Sequence, residues 1–134
     1  MREAVLLFDG GSRGNPGPSG CGYVIMNSDE TQIIISGSEF LGQNTNNYAE
    51  YMGMIIGIKK ALELDIDNLI IKGDSQLVIK QMLKQYSVKA PNLIPLYNHA
   101  NNLILGFQDT KFYHIKRNLN TLADRLANRA MDRK

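Results

Sequence analysis

Two short apolar runs, Val5-Leu6-Leu7-Phe8 and Leu69-Ile70-Ile71, each lead into an aspartate, Asp9 directly and Asp74 after Lys72-Gly73. Runs of this length, bounded by turn-forming residues, read as strands buried on both faces. Such strands belong to a sheet covered by helices on both sides. Between them lies Tyr51 to Ile58, which contains nothing but apolar residues and glycine. It suits a helix buried on more than one side. Together these segments place the chain in the α/β class and put two aspartates at strand ends, where sites in open sheets form.

The remaining punctuation completes an order of βββαβααβα. Gly10 to Gly22 holds six of the twelve glycines, and also Pro16 and Pro18, and reads as a loop with unusual backbone angles. Asn27 to Glu30 reads as the turn between strands over Gly22–Met26 and Gln32–Phe40, so the first three strands are antiparallel. Thr45-Asn46-Asn47 supplies capping oxygens for a helix to about Leu64, and Ser75 caps a second one reaching about Lys84. A third helix is expected from Asn92 to Leu105, a last strand from Thr110 to Ile115, and a final helix through Arg133. Leu119, Leu122, Leu126 and Ala130 are among the apolar positions of that last helix. No linker or repeat divides the 134 residues, so one domain spans 1–134.

Most of the acids flank turns or helix ends, but Asp9, Glu50, Asp74 and Asp124 do not. Asp9 and Asp74 end buried strands, Glu50 opens the most apolar helix, and Asp124 lies beside the apolar face of the last one. Each has a local role open to it: capping the glycine-rich turn, ending a strand, favouring a helix start, or pairing with Arg117 or Arg125. Four separate coincidences are a weaker account than one shared site. Clustered carboxylates repel and are costly to bury unpaired, and a divalent cation removes the conflict. Oxygen ligands without a histidine or cysteine pair suit magnesium or manganese rather than zinc. Two such ions are the usual device for in-line attack of water on a phosphodiester.

The motifs carrying these acids resemble type 1 ribonucleases H. Asp9-Gly10-Gly11-Ser12-Arg13-Gly14-Asn15-Pro16-Gly17-Pro18 is similar to the opening of that family, and Thr45-Asn46-Asn47-Tyr48-Ala49-Glu50 to its second motif. Asp74-Ser75-Gln76-Leu77-Val78 resembles the third, and Asn120 to Asn128, with Asp124 at its centre, the fourth. The resemblance covers essentially the whole chain. It implies a ribonuclease H-like α/β fold: a mixed five-stranded sheet, three antiparallel strands then two parallel, flanked by helices. It also implies an endonuclease that hydrolyses the RNA strand of RNA–DNA hybrids with two Mg2+ ions, Mn2+ being the alternative, and leaves 5′-phosphate and 3′-hydroxyl ends. By the same resemblance Asp9 bridges both ions, Asp74 and Asp124 hold the ion that activates water, and Glu50 serves the other near the ribose 2′-hydroxyl. Gly14, Asn15, Asn46, Asn47 and Ser75 become the expected substrate contacts.

Two features depart from well-known bacterial members. A basic, tryptophan-bearing helix and loop would follow the third motif. Here Lys80, Lys84 and Lys89 are scattered, Tyr86 is the only aromatic able to stack, and the chain has no Trp. This resembles a compact branch without the basic protrusion and predicts weaker hybrid binding. Many members also keep a mobile histidine before the fourth carboxylate. His114 falls within the last strand, so Arg117 is the expected residue for that swinging role, while His99 reads as structural or solvated.

The net charge of +2 calls for a local rather than a global binding patch. The single Cys21 leaves no internal disulfide and makes a reducing, cytoplasmic compartment the default. No apolar run spans a bilayer and the N-terminus has no secretory layout. No obligate partner is evident, and a monomer is the default. A non-catalytic module, or a DNA-cutting relative with the same chemistry, are the rival readings. The asparagine-rich segments argue against the second.

Overall fold

Strand β1 (Glu3–Ser12) carries the first apolar run and lies at the centre of a five-stranded sheet of order β3-β2-β1-β4-β5. The computed structural model describes residues 1–133. Antiparallel pairing joins β1 to β2 (Gly17–Asn27) and β2 to β3 (Ile33–Asn44). Parallel pairing joins β1 to β4 (Asn68–Gly73) and β4 to β5 (Asp109–His114). The expected mixed sheet of three antiparallel and two parallel strands is therefore what the chain forms. Phe8 is paired with Gly73, so Asp9 and Asp74 follow side by side at the ends of parallel neighbours.

Alternation along β1 divides the core. Leu6 and Phe8 face α1 (Asn46–Glu63), α2 (Gln76–Met82) and α3 (Ile94–Ile104), while Val5 and Leu7 face α4 (Thr121–Asp132). Helix α1 buries Tyr51, Met54, Ile55 and Ile58 as well as Gly53 and Gly57, so the expectation of burial on several sides holds. Thr45 caps it by accepting from the Tyr48 amide, and Ser75 caps α2 through the Val78 amide at 3.2 Å. The fully buried Tyr51 donates its hydroxyl to Gln81 Oε1 at 2.5 Å and so ties α1 to α2. Among the described residues, no helix is long and apolar enough to cross a membrane.

Two expectations need correction. The glycine-rich stretch is not one long loop: β1 continues through Ser12 and β2 begins at Gly17, which leaves only residues 13–16 between them. In that stretch only Gly14 has a positive φ, at 80°. Gly10, Gly17, Gly20 and Gly22 are needed for the volume they leave empty. A Cβ on Gly10 would sit 2.2 Å from the Ala49 carbonyl carbon, and one on Gly22 would sit 2.6 Å from Leu126 Cβ. A Cβ on Gly20 would meet Ala130 Cβ at 2.8 Å. Helices α1 and α4 thus rest on bare backbone.

The second correction concerns α4. Its buried residues are Ala123, Ala127, Ala130 and Met131, whereas Leu119 and Leu122 are exposed. Close contact with Gly20 and Gly22 turns the alanine stripe inward, with Leu126 half-buried and its Cβ over Gly22, while Leu119 and Leu122 turn out. Overpacking such a contact costs about 1–3 kcal/mol. Gly22→Ala should lower the unfolding free energy by that amount, read as a lower urea midpoint with an unchanged m-value. Gly11→Ala, whose Cβ meets only the flexible Met131 Cε at 3.3 Å, should cost much less. Equal losses in the two variants would contradict a packing limit set by α4.

Candidate active site

The site is assembled from four elements that meet at one rim of the sheet. β1 delivers Asp9, which is only 5% exposed. The turn after β4 delivers Asp74 beside it. The first turns of α1, seated on Gly10, deliver Glu50. Oxygens of Asp9, Glu50 and Asp74 lie within 4.8 Å of one another. Asp124, on the exposed side of the alanine stripe of α4, lines the same cleft of about 470 Å³. Its carboxylate stands outside the tight triad and faces Arg117, with Nη2 3.4 Å from Oδ1.

Like charges in a poorly solvated place must be relieved or protonated. Burial first, and then the Asp74 carboxylate, push the Asp9 carboxyl up from an ordinary 3.8 to about 7. Burial and the neighbouring Asp9 likewise hold the Glu50 carboxyl well above its usual range. For Asp9, hydrogen bonding with Glu50 and the Gly10 amide, which donates to Asp9 Oδ1 at 2.9 Å, partly offset this. Glu50 Oε1 and Asp74 Oδ1 are buried and accept no hydrogen bond. Two orphaned carboxylate oxygens beside a third carboxylate are a donor set for a hard divalent cation, so the residues fit the expected metal.

The other expected residues divide into two groups. Asn46 and Arg117 line the cleft with the carboxylates, whereas Gly14, Asn15, Asn47 and Ser75 are not in its lining. Asn15 nevertheless lies next to it: its Oδ1 accepts from the Asn46 amide at 3.0 Å, and Asn46 Oδ1 accepts from the Ser12 amide at 2.7 Å. The turn after β1 and the start of α1 are thereby stitched together. Ser75 uses its hydroxyl oxygen as a helix cap, and Asn47 is exposed. His114 is the last residue of β5, exposed, with Nε2 3.3 Å from the Asp74 carbonyl oxygen.

Asn120 has a second role besides starting α4. It is 1% exposed and donates Nδ2 to the Phe8 carbonyl at 2.8 Å, which fastens the residue before Asp9 to the helix that carries Asp124. Its own carbonyl accepts from the Asp124 amide at 3.1 Å. Arg13 was not singled out from the sequence, yet it lines the cleft with Asn128 and Met131. Only the three-dimensional course of β1 and α4 reveals this.

Comparison with known proteins follows the same geometry. A family profile described as Reverse transcriptase-like matches residues 7–130. The bifunctional protein Rv2228c of Mycobacterium tuberculosis is 42% identical over 130 residues, covering 97% of this chain and 36% of the relative. The structure of its N-terminal RNase H domain superposes with a TM-score of 0.97 at 41% identity, covering 99% of this chain and 96% of that one. Ribonuclease HI of Halobacterium salinarum is 40% identical over 93% of this chain and 62% of its own length. The crystal structure of that archaeon's RNase H1 gives a TM-score of 0.94 at 38% identity, with 98% and 99% coverage. LC11-RNase H1, solved in complex with an RNA/DNA hybrid, gives 0.90 at 32% identity over 97% of each chain. The chain thus spans about a third of the mycobacterial relative and under two thirds of the archaeal one.

The raised pKa values carry a sign for stability. The folded state holds protons that the unfolded state has released between pH 3.8 and about 7. The Asp9 contribution to metal-free stability therefore falls as pH rises through that window and is flat above it, a loss on the order of 2–4 kcal/mol. Asp9→Asn removes this slope. In EDTA, thermal melting should find the variant more stable than wild type at pH 8 and the two converging near pH 4. Parallel melting curves across the range would contradict a buried, conflicted Asp9.

Proposed function

The chain belongs to the reverse transcriptase-like family and within it to the type 1 ribonucleases H, and from that premise we propose that it hydrolyses the RNA strand of RNA–DNA hybrids. The observation that carries this reading is the convergence of Asp9, Glu50 and Asp74 within 4.8 Å, with two of their oxygens orphaned. A binding module would have no use for so costly an arrangement. The choice of hybrid is supported by likeness to LC11-RNase H1, whose solved complex contains an RNA/DNA hybrid.

Asp9, Glu50, Asp74 and Asp124 would hold two divalent ions, Mg2+ or Mn2+. When bound, such ions lower the pKa of a water and offset charge developing on the phosphate. Asp9, at 5% exposure, would be the ligand they share. Asp74 and Asp124 would hold the ion that activates the water, and Glu50 would serve the other ion on the side of the ribose. Attack in line on the phosphorus leaves a 5′-phosphate and a 3′-hydroxyl. Arg117, whose side chain is 78% exposed, is free to leave Asp124 for the cleaved phosphate and draw the product away.

Asn46 lines the cleft and Asn15 is bonded to its backbone, and the reading assigns the ribose test to these two amides and to that of Asn47. An amide can donate to or accept from a 2′-hydroxyl, the group that separates RNA from DNA. The minor groove carries little base information, so cutting is nearly independent of sequence. Lys84 does not supply a free phosphate contact, because its Nζ bonds Tyr97 Oη and Asn101 Oδ1 at 2.7 Å each. That commitment supports the expectation of weak hybrid binding.

Labelled RNA–DNA hybrid, double-stranded RNA, double-stranded DNA and a four-way junction should be incubated with magnesium, manganese or EDTA. Only the hybrid should be cut efficiently, and only with metal. Cutting of the junction instead would favour a DNA-cutting relative. Asp9→Asn should lower kcat by at least ~10³-fold while the protein stays folded. A second series places single 2′-deoxy substitutions in the RNA strand. Wild type should slow at positions next to the scissile bond, and Asn15→Ala or Asn47→Ala should blunt that sensitivity. Indifference of the wild type to every substitution would remove the ribose test from the proposal.

A further inference from the structure

Two guanidinium groups line the carboxylate cleft, and each is held by an acid: Arg117 by Asp124 and Arg13 by Asp132. We propose that Arg13 is a binding residue for a backbone phosphate of the cleaved strand, with Asp132 acting as a placeholder that it gives up when the substrate arrives. The inference rests on the hybrid-cleaving reading and extends it to a subsite away from the metal ligands.

The first argument is the setting of Asp132. It is the last residue of α4, at the negative end of the helix dipole, where a carboxylate weakens the helix rather than supporting it. Its contact with Arg13 across 119 residues of sequence is the interaction that gives it a role there. The second is the strength of the pair. Both side chains are about half exposed or more, 47% and 63%, and exposed ion pairs of this kind contribute little. A phosphate offers the guanidinium fork two parallel hydrogen bonds and a fuller charge, so exchange is favourable.

The third argument is rigidity. The Arg13 amide donates to the Pro18 carbonyl at 2.9 Å, and Gly17 lies so close beneath that a Cβ there would be 2.0 Å from the Arg13 carbonyl oxygen. The backbone is therefore fixed, and only the side chain has to move. The position is also suitable. Along α4 the eight residues from Asp124 to Asp132 rise about 12 Å, which puts Arg13 a few phosphates from the scissile one. The floor between them is Ala127 and Met131 with Asn128 beside them, a surface that adds no charge against the strand.

The test uses the opposite effects of the two partners. Hybrid binding is measured by anisotropy in an Asp9→Asn background with magnesium, and kcat and KM in the native background, each variant being checked by thermal melting. Arg13→Ala should raise Kd roughly threefold to tenfold and lower the slope of log affinity against log salt by about one, with kcat nearly unchanged. Asp132→Asn should instead lower Kd, roughly twofold to fivefold, by releasing the guanidinium. The double variant should bind like Arg13→Ala alone. A single methylphosphonate in the RNA strand should weaken wild type at one position and have no effect there on Arg13→Ala. If Asp132→Asn weakens binding as Arg13→Ala does, or neither alters it, the pair is only a strut and the proposal fails. A wild type that cuts no hybrid with either metal would overturn the functional reading instead, whatever the two variants do to binding.

Discussion

Everything at the carboxylate rim depends on backbone touching backbone. Gly10 lets the first turn of α1 settle directly on β1, and Gly20 and Gly22 let α4 settle on β2. A methyl group at any of these places would lift a helix by a fraction of its own radius. Glu50 and Asp124 ride on those helices, so their reach towards Asp9 is decided by atoms that are not there. Close packing of this kind transmits small displacements rather than absorbing them. The price of such a site is that its most sensitive residues carry no chemistry at all.

The second dependence is electrostatic and runs the other way. Packing brings Asp9, Glu50 and Asp74 together, while their charges would separate them. The hydrogen bonds around the cluster are few: one from the Gly10 amide to Asp9, and none to Glu50 Oε1 or Asp74 Oδ1. A site already satisfied by protein donors would have less need of a cation. Leaving oxygens unsatisfied is thus the condition for binding one, and stability in the metal-free state is what it costs.

Much of this was legible in the sequence because the informative signals were local. Short apolar runs ending in Asp9 and Asp74, and capping residues at Thr45 and Ser75, gave the order of elements and three of the four acids' settings. What could not be read was which property of a residue mattered. A glycine in Gly10–Gly22 signals conformational freedom, yet only Gly14 uses it, and Gly10, Gly17, Gly20 and Gly22 serve by being small. On α4 a leucine stripe and an alanine stripe compete at helical spacing, and the glycines of a distant strand decide for alanine. The amide of Asn120 on the Phe8 carbonyl and the Arg13–Asp132 pair join positions more than a hundred residues apart, beyond any local pattern.

The position of α4 in the chain order has a consequence for synthesis. A ribosome releases Asp9, Glu50 and Asp74 well before the residues of α4, and β1 needs that helix to cover Val5 and Leu7. Until it docks, one face of the central strand stays wet, and Asp9, whose pKa is raised chiefly by burial, is better solvated than in the finished fold. Emergence of the nascent chain therefore keeps the carboxylates apart in character even after they are close in space. The four carboxylates thus come to share one cleft only when Asp124 arrives with α4, the latest of these elements to leave the ribosome.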